Sequence, residues 1–203
     1  MRGADEVRDR LTLLLASEMP RKIPLLRQEW GVGSDRLPDV TRWVSGDIPD
    51  ETVDTGCWVI VVNPRLLRMV RTGDFSPAGE PEFRNRYACR VYVWVLGQDW
   101  DTAAAARDNT AVCARLSMIQ YPTLTNEGGD TGCVLHEDTY TEDFGTPARV
   151  KGGRCWAAAI LSVDIDVYEH VDAGTTLPAL GAAEQITPTA SAVGPGRPFE
   201  ESE

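Results

Sequence analysis

From Cys155 to Val167 the chain alternates without a break. Cys155, Ala157, Ala159, Leu161, Val163, Ile165 and Val167 fall on one side, and Trp156, Ile160, Ser162, Asp164 and Asp166 on the other. Successive side chains of an extended chain point to opposite faces, so a run of this length dictates a long strand with one apolar face. The other face turns polar in its second half, which predicts a wet, acidic surface carrying Asp164 and Asp166. A strand of this kind must find partners, and two further segments supply them. Tyr87, Cys89, Val91, Val93 and Val95 alternate with Arg90, Tyr92 and Trp94, the pattern of a central strand. Gly56 to Val62, "GCWVIVV", is apolar almost throughout and β-branched, which fits a strand buried on both faces. A fourth strand starts at Cys133–Leu135 and runs on into the polar "HEDTYTEDFG".

Helical spacing appears twice. In residues 4–19 Val7, Leu11, Leu14 and Leu15 recur at three- and four-residue steps behind Asp5, Glu6 and Asp9, a helix that Pro20 is expected to stop. After Gly97, Asp99 or Asp101 is placed to cap a second helix, with Ala106, Val112, Cys113, Leu116 and Ile119 as its apolar stripe, Trp100 as a packed staple and Pro122 beyond its end. The chain through residues 31–55 and 63–86 is punctuated by Gly and Pro and reads as long loops. Beyond Val171 it becomes Ala, Gly, Thr and Pro with an acidic end, too poor in large apolar groups to offset its ordering entropy. The expected architecture is a single α+β domain over residues 1–171: a mostly antiparallel sheet of about four strands with helices packed on one face. Residues 172–203 are expected to form an extended tail, flexible or bound to a partner.

The 203 residues carry a formal net charge of −11, which argues against a sequence-independent grip on nucleic acid. The charge is uneven. Residues 64–90 hold six arginines against Asp74, Glu80 and Glu82, while residues 121–170 hold nine acids against Arg149, Lys151 and Arg154. Two readings are open: complementary surfaces of neighbouring copies, or ordinary solvated faces. The five cysteines, Cys57, Cys89, Cys113, Cys133 and Cys155, show no CxxC pair and read as core thiols of a reducing compartment. No signal peptide or membrane span is expected, since the apolar run Leu11–Ala16 is short and amphipathic.

The sequence holds no complete catalytic constellation. At Val95-Leu96-Gly97-Gln98-Asp99-Trp100 a strand runs through glycine into a helix, as at phosphate sites, but the glycine stands alone and Asp99 and Asp101 repel an anion. His136, Glu137, Asp138, Glu142 and Asp143 include ligand types for a cation, with a spacing that matches no known loop and suits a solvated strand end. "VKGGRC" at 150–155 reads as a hairpin turn or as an anion nest. A Cys-dependent hydrolase requires Cys57 or Cys133 beside His136 in a cleft. No catalytic residue, cofactor or metal ligand is expected.

The order and texture of the elements carry a resemblance. The leucine-rich first helix, "YACRVYVWVLG", "WDTAAAARDNTAVCARL" and "RCWAAAILSVDIDVYEHV" together resemble tail terminator proteins of long-tailed phages infecting actinobacteria, over about residues 4–170. The resemblance implies a structural virion protein of the tail and neck, assembled in the host cytoplasm. It implies a homo-oligomeric ring, in that family a hexamer, that ends the tail tube and meets the tail tube protein and the head connector or stopper. DNA is expected to pass through its lumen without specific binding. On this reading Arg84, Arg86 and Arg90 meet Glu137, Asp138, Glu142 and Asp143 of a neighbouring subunit, and Asp164 and Asp166 face the lumen. Another neck or minor tail component, such as a stopper, fits the same sequence.

Overall fold

In the computed structural model, which describes residues 3–48, 56–72, 82–125, 132–149 and 153–170, the chain opens with helix α1 (Ala4–Trp30) and strand β1 (Val40–Ser45). β2 (Cys57–Val61), β3 (Arg65–Arg71) and the long β4 (Glu82–Gly97) follow, then helix α2 (Trp100–Gln120). β5 (Cys133–Phe144), the two-residue β6 (Ala148–Arg149) and β7 (Cys155–His170) complete the order. The strands form one mixed sheet in the order β1-β2-β4-β7-β5, with β3 beside the first half of β4 and β6 beside the start of β7. β1 pairs β2 in parallel; every other pairing is antiparallel. The tail expected over 172–203 lies outside the described residues.

The sheet is wider than the four strands expected, because two segments read as loops are strands. β1 lies inside 31–55 and β3 inside 63–86, and β4 begins at Glu82 rather than Tyr87. β3 escapes pattern reading for a physical reason. Its register with β4 shifts between Leu66 and Arg68, so the two-residue alternation is broken: Arg65 and Arg68, three residues apart, share a face, while Arg71, in regular register after Arg68, takes the other.

The expected stop at Pro20 is also corrected: α1 runs through Pro20 and Pro24 to Trp30. Proline in a helix interior removes one backbone donor and costs up to about 3 kcal/mol. Both prolines are exposed, and the carbonyls they leave without a helical donor belong to half-buried Ala16 and exposed Pro20. On the other side Val7, Leu11, Leu14, Leu15, Met19, Ile23 and Leu26 form one continuous buried stripe, at about 1.5–3 kcal/mol for each large side chain buried. Burial beyond Pro20 therefore outweighs the two breaks. The helix ends instead at Gly31, whose φ of 66° lets its N–H close on Arg27 O.

One core joins both helices to a single face of the sheet: the α1 stripe, the small residues of α2, and Tyr87, Cys89, Val91, Val93 and Val95 with Leu161, Val163, Ile165 and Val167. β2 is buried at all five positions, as its composition predicts. The stripe expected on α2 is half corrected. Ala106 and Cys113 are buried, but they are joined by Ala103, Thr110, Ala111, Ala114, Ser117 and Met118, whereas Leu116 and Ile119 are exposed and Trp100 is 42% exposed rather than packed as a staple. Small side chains let the helix lie close to the branched side chains of the sheet. The hydroxyls of Thr110 and Ser117 donate to Ala106 O at 2.6 Å and Cys113 O at 2.9 Å, so neither is buried unsatisfied.

The junction before α2 follows from two residues. Asp99 accepts from Thr102 N–H at 2.7 Å and caps the helix, and these backbone and side-chain contacts with Thr102 hold its carboxyl below the usual range. At Gly97 a Cβ would come within 2.5 Å of Ala103 N and 2.7 Å of Ala103 Cα. Glycine is required by the close approach of strand end and helix, which is a structural duty.

Candidate functional site: the sheet face opposite the helices

Because side chains alternate, the residues between those of the core share the second face of the sheet. That face is divided. Near the strand ends next to α2, Trp58 stacks on Trp94 with centroids 6.4 Å apart, Trp94 meets Trp156 at 6.1 Å, and the Arg42 guanidinium lies 4.5 Å over Trp58. Ile60 is fully buried in the same cluster. At the other end the face is charged.

The charged end follows from register. Arg86 stands opposite Asp166 in the β4–β7 ladder, Arg84 precedes it by two residues, and His136 on β5 stands opposite Asp164. Asp166 is only 1% exposed and is held on every side. Arg86 Nε donates to its Oδ1 at 2.9 Å and Nη2 to Oδ2 at 3.4 Å, Arg84 donates to Oδ2 through Nε and pairs with it through Nη2, and His136 Nε2 lies 2.6 Å from Oδ2. A carboxylate cannot donate, so we assign the imidazole proton to Nε2 on its shorter contact, with Asp166 as acceptor; the 3.1 Å approach of Arg86 Nη2 to the same nitrogen is then a contact between two donors and not a hydrogen bond. Burial pushes the Asp166 carboxyl up, but the hydrogen bonds from Arg86, His136 and Arg84 together outweigh it and bring the group down to about 2. The same bond to Asp166 raises Arg86 above its ordinary value.

Beside this pair, Arg68, Val70 and Thr72 of the β3 hairpin arm join Arg84, Arg86 and Asp166 around a cleft of about 190 Å³. Three guanidinium groups face one carboxylate there. Arg84 and Arg86 keep 38% and 33% of their side-chain surface open, Arg68 is exposed, and no ion pair to Arg68 occurs among the described residues.

The sequence-derived candidates separate into distinct sites. Arg84, Arg86 and Asp166 meet within one subunit, so Asp166 does not share a wet face with half-buried Asp164; its Arg partners pull it under. Arg90, Glu137, Asp138 and Asp143 are exposed. Glu142 is engaged on the helix side, accepting from Arg115 Nη1 at 3.1 Å and from the Tyr140 hydroxyl at 2.6 Å. His136 and Glu142 thus face different partners, and among the described residues no three His, Cys, Asp or Glu side chains converge as metal ligands would. The five cysteines are buried, with Cys57 and Cys133 in the core on the helix side, while His136 is bound to Asp166 on the opposite face. The Cys–His cleft of the hydrolase reading is not formed. Burial pushes the Cys57 and Cys113 thiols up to about 12, away from nucleophilic character. Residues 150–152 of "VKGGRC" lie outside the described residues.

Sequence reasoning missed Arg68 and Thr72 as members of the site, and missed Asp166 as its floor. The available signal was the pair Arg65 and Arg68 set among Leu66, Leu67, Met69 and Val70, whose three-residue spacing the bulge turns into one face.

No protein family matches the chain in sequence, and no curated protein is similar to it in sequence. No helix among the described residues is long and apolar enough to cross a membrane.

Proposed function

We propose that this protein is a ring-forming structural component of a phage tail, a tail terminator. It ends the tail tube, offers its outer rim to the head connector or stopper, and lets DNA pass through its lumen. The ring is a homohexamer, formed in the host cytoplasm and carried in the virion. The observation that carries the reading is the distribution of charge over the two edges of the sheet. β3, with Arg65, Arg68 and Arg71 exposed, lies on one edge; β5, with Glu137, Asp138 and Asp143 exposed, lies on the other.

A closed ring needs a heterologous interface, in which one patch of each copy meets a different patch of the next. Opposite charge on opposite edges steers that encounter and suppresses edge-to-edge pairing of like patches. Leu66, Leu67 and Met69, each exposed by more than 40%, add an apolar strip to the β3 edge. An exposed strand with apolar side chains is a docking edge unless something covers it. Half-buried Asp164 remains a lumen candidate, where negative charge repels the DNA backbone.

Native mass measurement and electron microscopy of the protein alone and with tail tubes test the reading. Sixfold rings at tube ends support it. A stable monomer that ignores tubes removes it, and rings seated on the connector away from the tube assign the chain to the stopper position instead.

A further inference from the structure

We propose that the cleft between β3 and β4 is a carboxylate receptor whose occupant is the Glu137-Asp138 tip of β5 from a second copy of this chain. The inference rests on the ring reading above and names the residues that close the ring. Two features on opposite edges of one subunit carry it.

The first is the receptor. Arg68, Arg84 and Arg86 bring three positive charges to a cleft that holds one carboxylate, Asp166. Asp166 takes hydrogen bonds from Arg84 and Arg86 through Nε and Nη2 of each, which aims both planar groups. Nη1 of Arg84 and of Arg86 makes no hydrogen bond with Asp166, although Arg86 Nη2 also lies 3.1 Å from His136 Nε2, and Arg68 is exposed. Guanidinium pairs bind carboxylates through two parallel hydrogen bonds, so the excess charge and the geometry fit one or two carboxylates.

The second is the ligand. The β5–β7 register breaks between His136 and Thr141, which lifts the intervening residues out of the ladder. The Thr139 hydroxyl donates to His136 O at 2.8 Å and accepts from Asp164 N–H at 2.8 Å, so the bulge is pinned to both strands. Glu137 and Asp138 are both exposed on it; the Asp138 side chain is 86% exposed, with Oδ1 3.8 Å from His136 Nδ1 of the same subunit. A held acidic tip loses little entropy on docking. The chain's net charge of −11 disfavours a nucleic-acid phosphate as the occupant, while a second copy carries an acidic tip on a different edge from the cleft, as a heterologous contact requires.

Sedimentation velocity over a concentration series tests the proposal on the full chain. Arg68→Glu, and separately Glu137→Arg, are expected to raise the concentration for half-assembly about tenfold or more, with unchanged thermal unfolding because both side chains are exposed. The double variant, carrying both reversals, is expected to recover most of the loss. Assembly of Arg68→Glu at the wild-type concentration overturns the cleft while leaving the ring intact, and so does a double variant as weak as the singles. A wild-type chain that stays monomeric alone and on tubes overturns the ring reading and the cleft contact together. Assembly unaffected by both reversals but disrupted by inorganic phosphate or DNA assigns the cleft to a phosphate and overturns the carboxylate occupant.

Discussion

Asp166 on β7 and Arg86 on β4 face each other across the ladder, and Arg86 Nε donates to Asp166 Oδ1 at 2.9 Å. A nearly buried carboxylate is thereby kept charged in the sheet by Arg84, Arg86 and His136, and its acid titration becomes a probe of the whole cluster.

The sign follows from the two states. In the unfolded chain an aspartate titrates near about 4, whereas Asp166 in the fold is down to about 2. Its contribution to stability is complete above about pH 4 and is lost as the pH falls through about 2. Asp166→Asn should cost about 2 kcal/mol at neutral pH, less than a fully buried pair because the arginines are partly solvated. Urea unfolding at pH 7 and from pH 4.5 to 2 checks this: the gap between wild type and variant should narrow on acidification. A constant gap would show that the carboxylate's charge is irrelevant.

Gly97→Ala should destabilise the fold by about 2 kcal/mol, since the new methyl meets the backbone of Ala103. The nearest atoms are backbone, so adding Ala103→Gly should not restore stability. Denaturant midpoints of the single and double variants decide it.

Pro20→Ala should stabilise the protein by about 1–2 kcal/mol, restoring a donor to the carbonyl of half-buried Ala16 in α1 while losing some of proline's restraint on the unfolded chain. A drop in the thermal midpoint would mean that α1 needs the break in order to follow the sheet.

All five thiols should resist alkylation at pH 8 in the native protein and react together on unfolding, because each is buried and burial raises Cys57 and Cys113 to about 12. Mass spectrometry of a timed iodoacetamide reaction counts the adducts. One thiol labelled well ahead of the others would reopen the hydrolase reading.

Assembly should weaken as salt rises from about 0.05 to 0.5 M, because exposed charges on the β3 and β5 edges are screened over about 10 Å or less. Light scattering against salt concentration gives the slope. Assembly that strengthens with salt would place the apolar strip Leu66, Leu67 and Met69 ahead of charge as the contact.

The strict alternation at Cys155–Val167 and Tyr87–Leu96, the unbroken apolar run in β2 and a cap at Asp99 or Asp101, which the fold gives to Asp99, were all legible, because each depends on neighbours in sequence. The passage of α1 through Pro20, the choice of small residues on α2 and the existence of β1 and β3 were not. Each is settled by what the segment packs against: buried apolar area beyond the proline, branched side chains beneath the helix, and a partner strand whose register bulges at Leu66–Arg68.

The candidate site divides in the same way. Residue types and local period determined from the sequence alone that this is an α+β chain with a basic stretch, an acidic stretch and Asp166 on the polar face of the last strand, while the resemblance singled out Arg84 and Arg86. Only the tertiary structure decided that these three bind one another, that Arg68 completes their cleft, and that β3 of the basic stretch and β5 of the acidic stretch lie on opposite edges of one sheet. The reason is strand order. Arg86 and Asp166 are eighty residues apart in the chain but adjacent in the β4–β7 ladder, and local chemistry holds no record of which strand pairs with which.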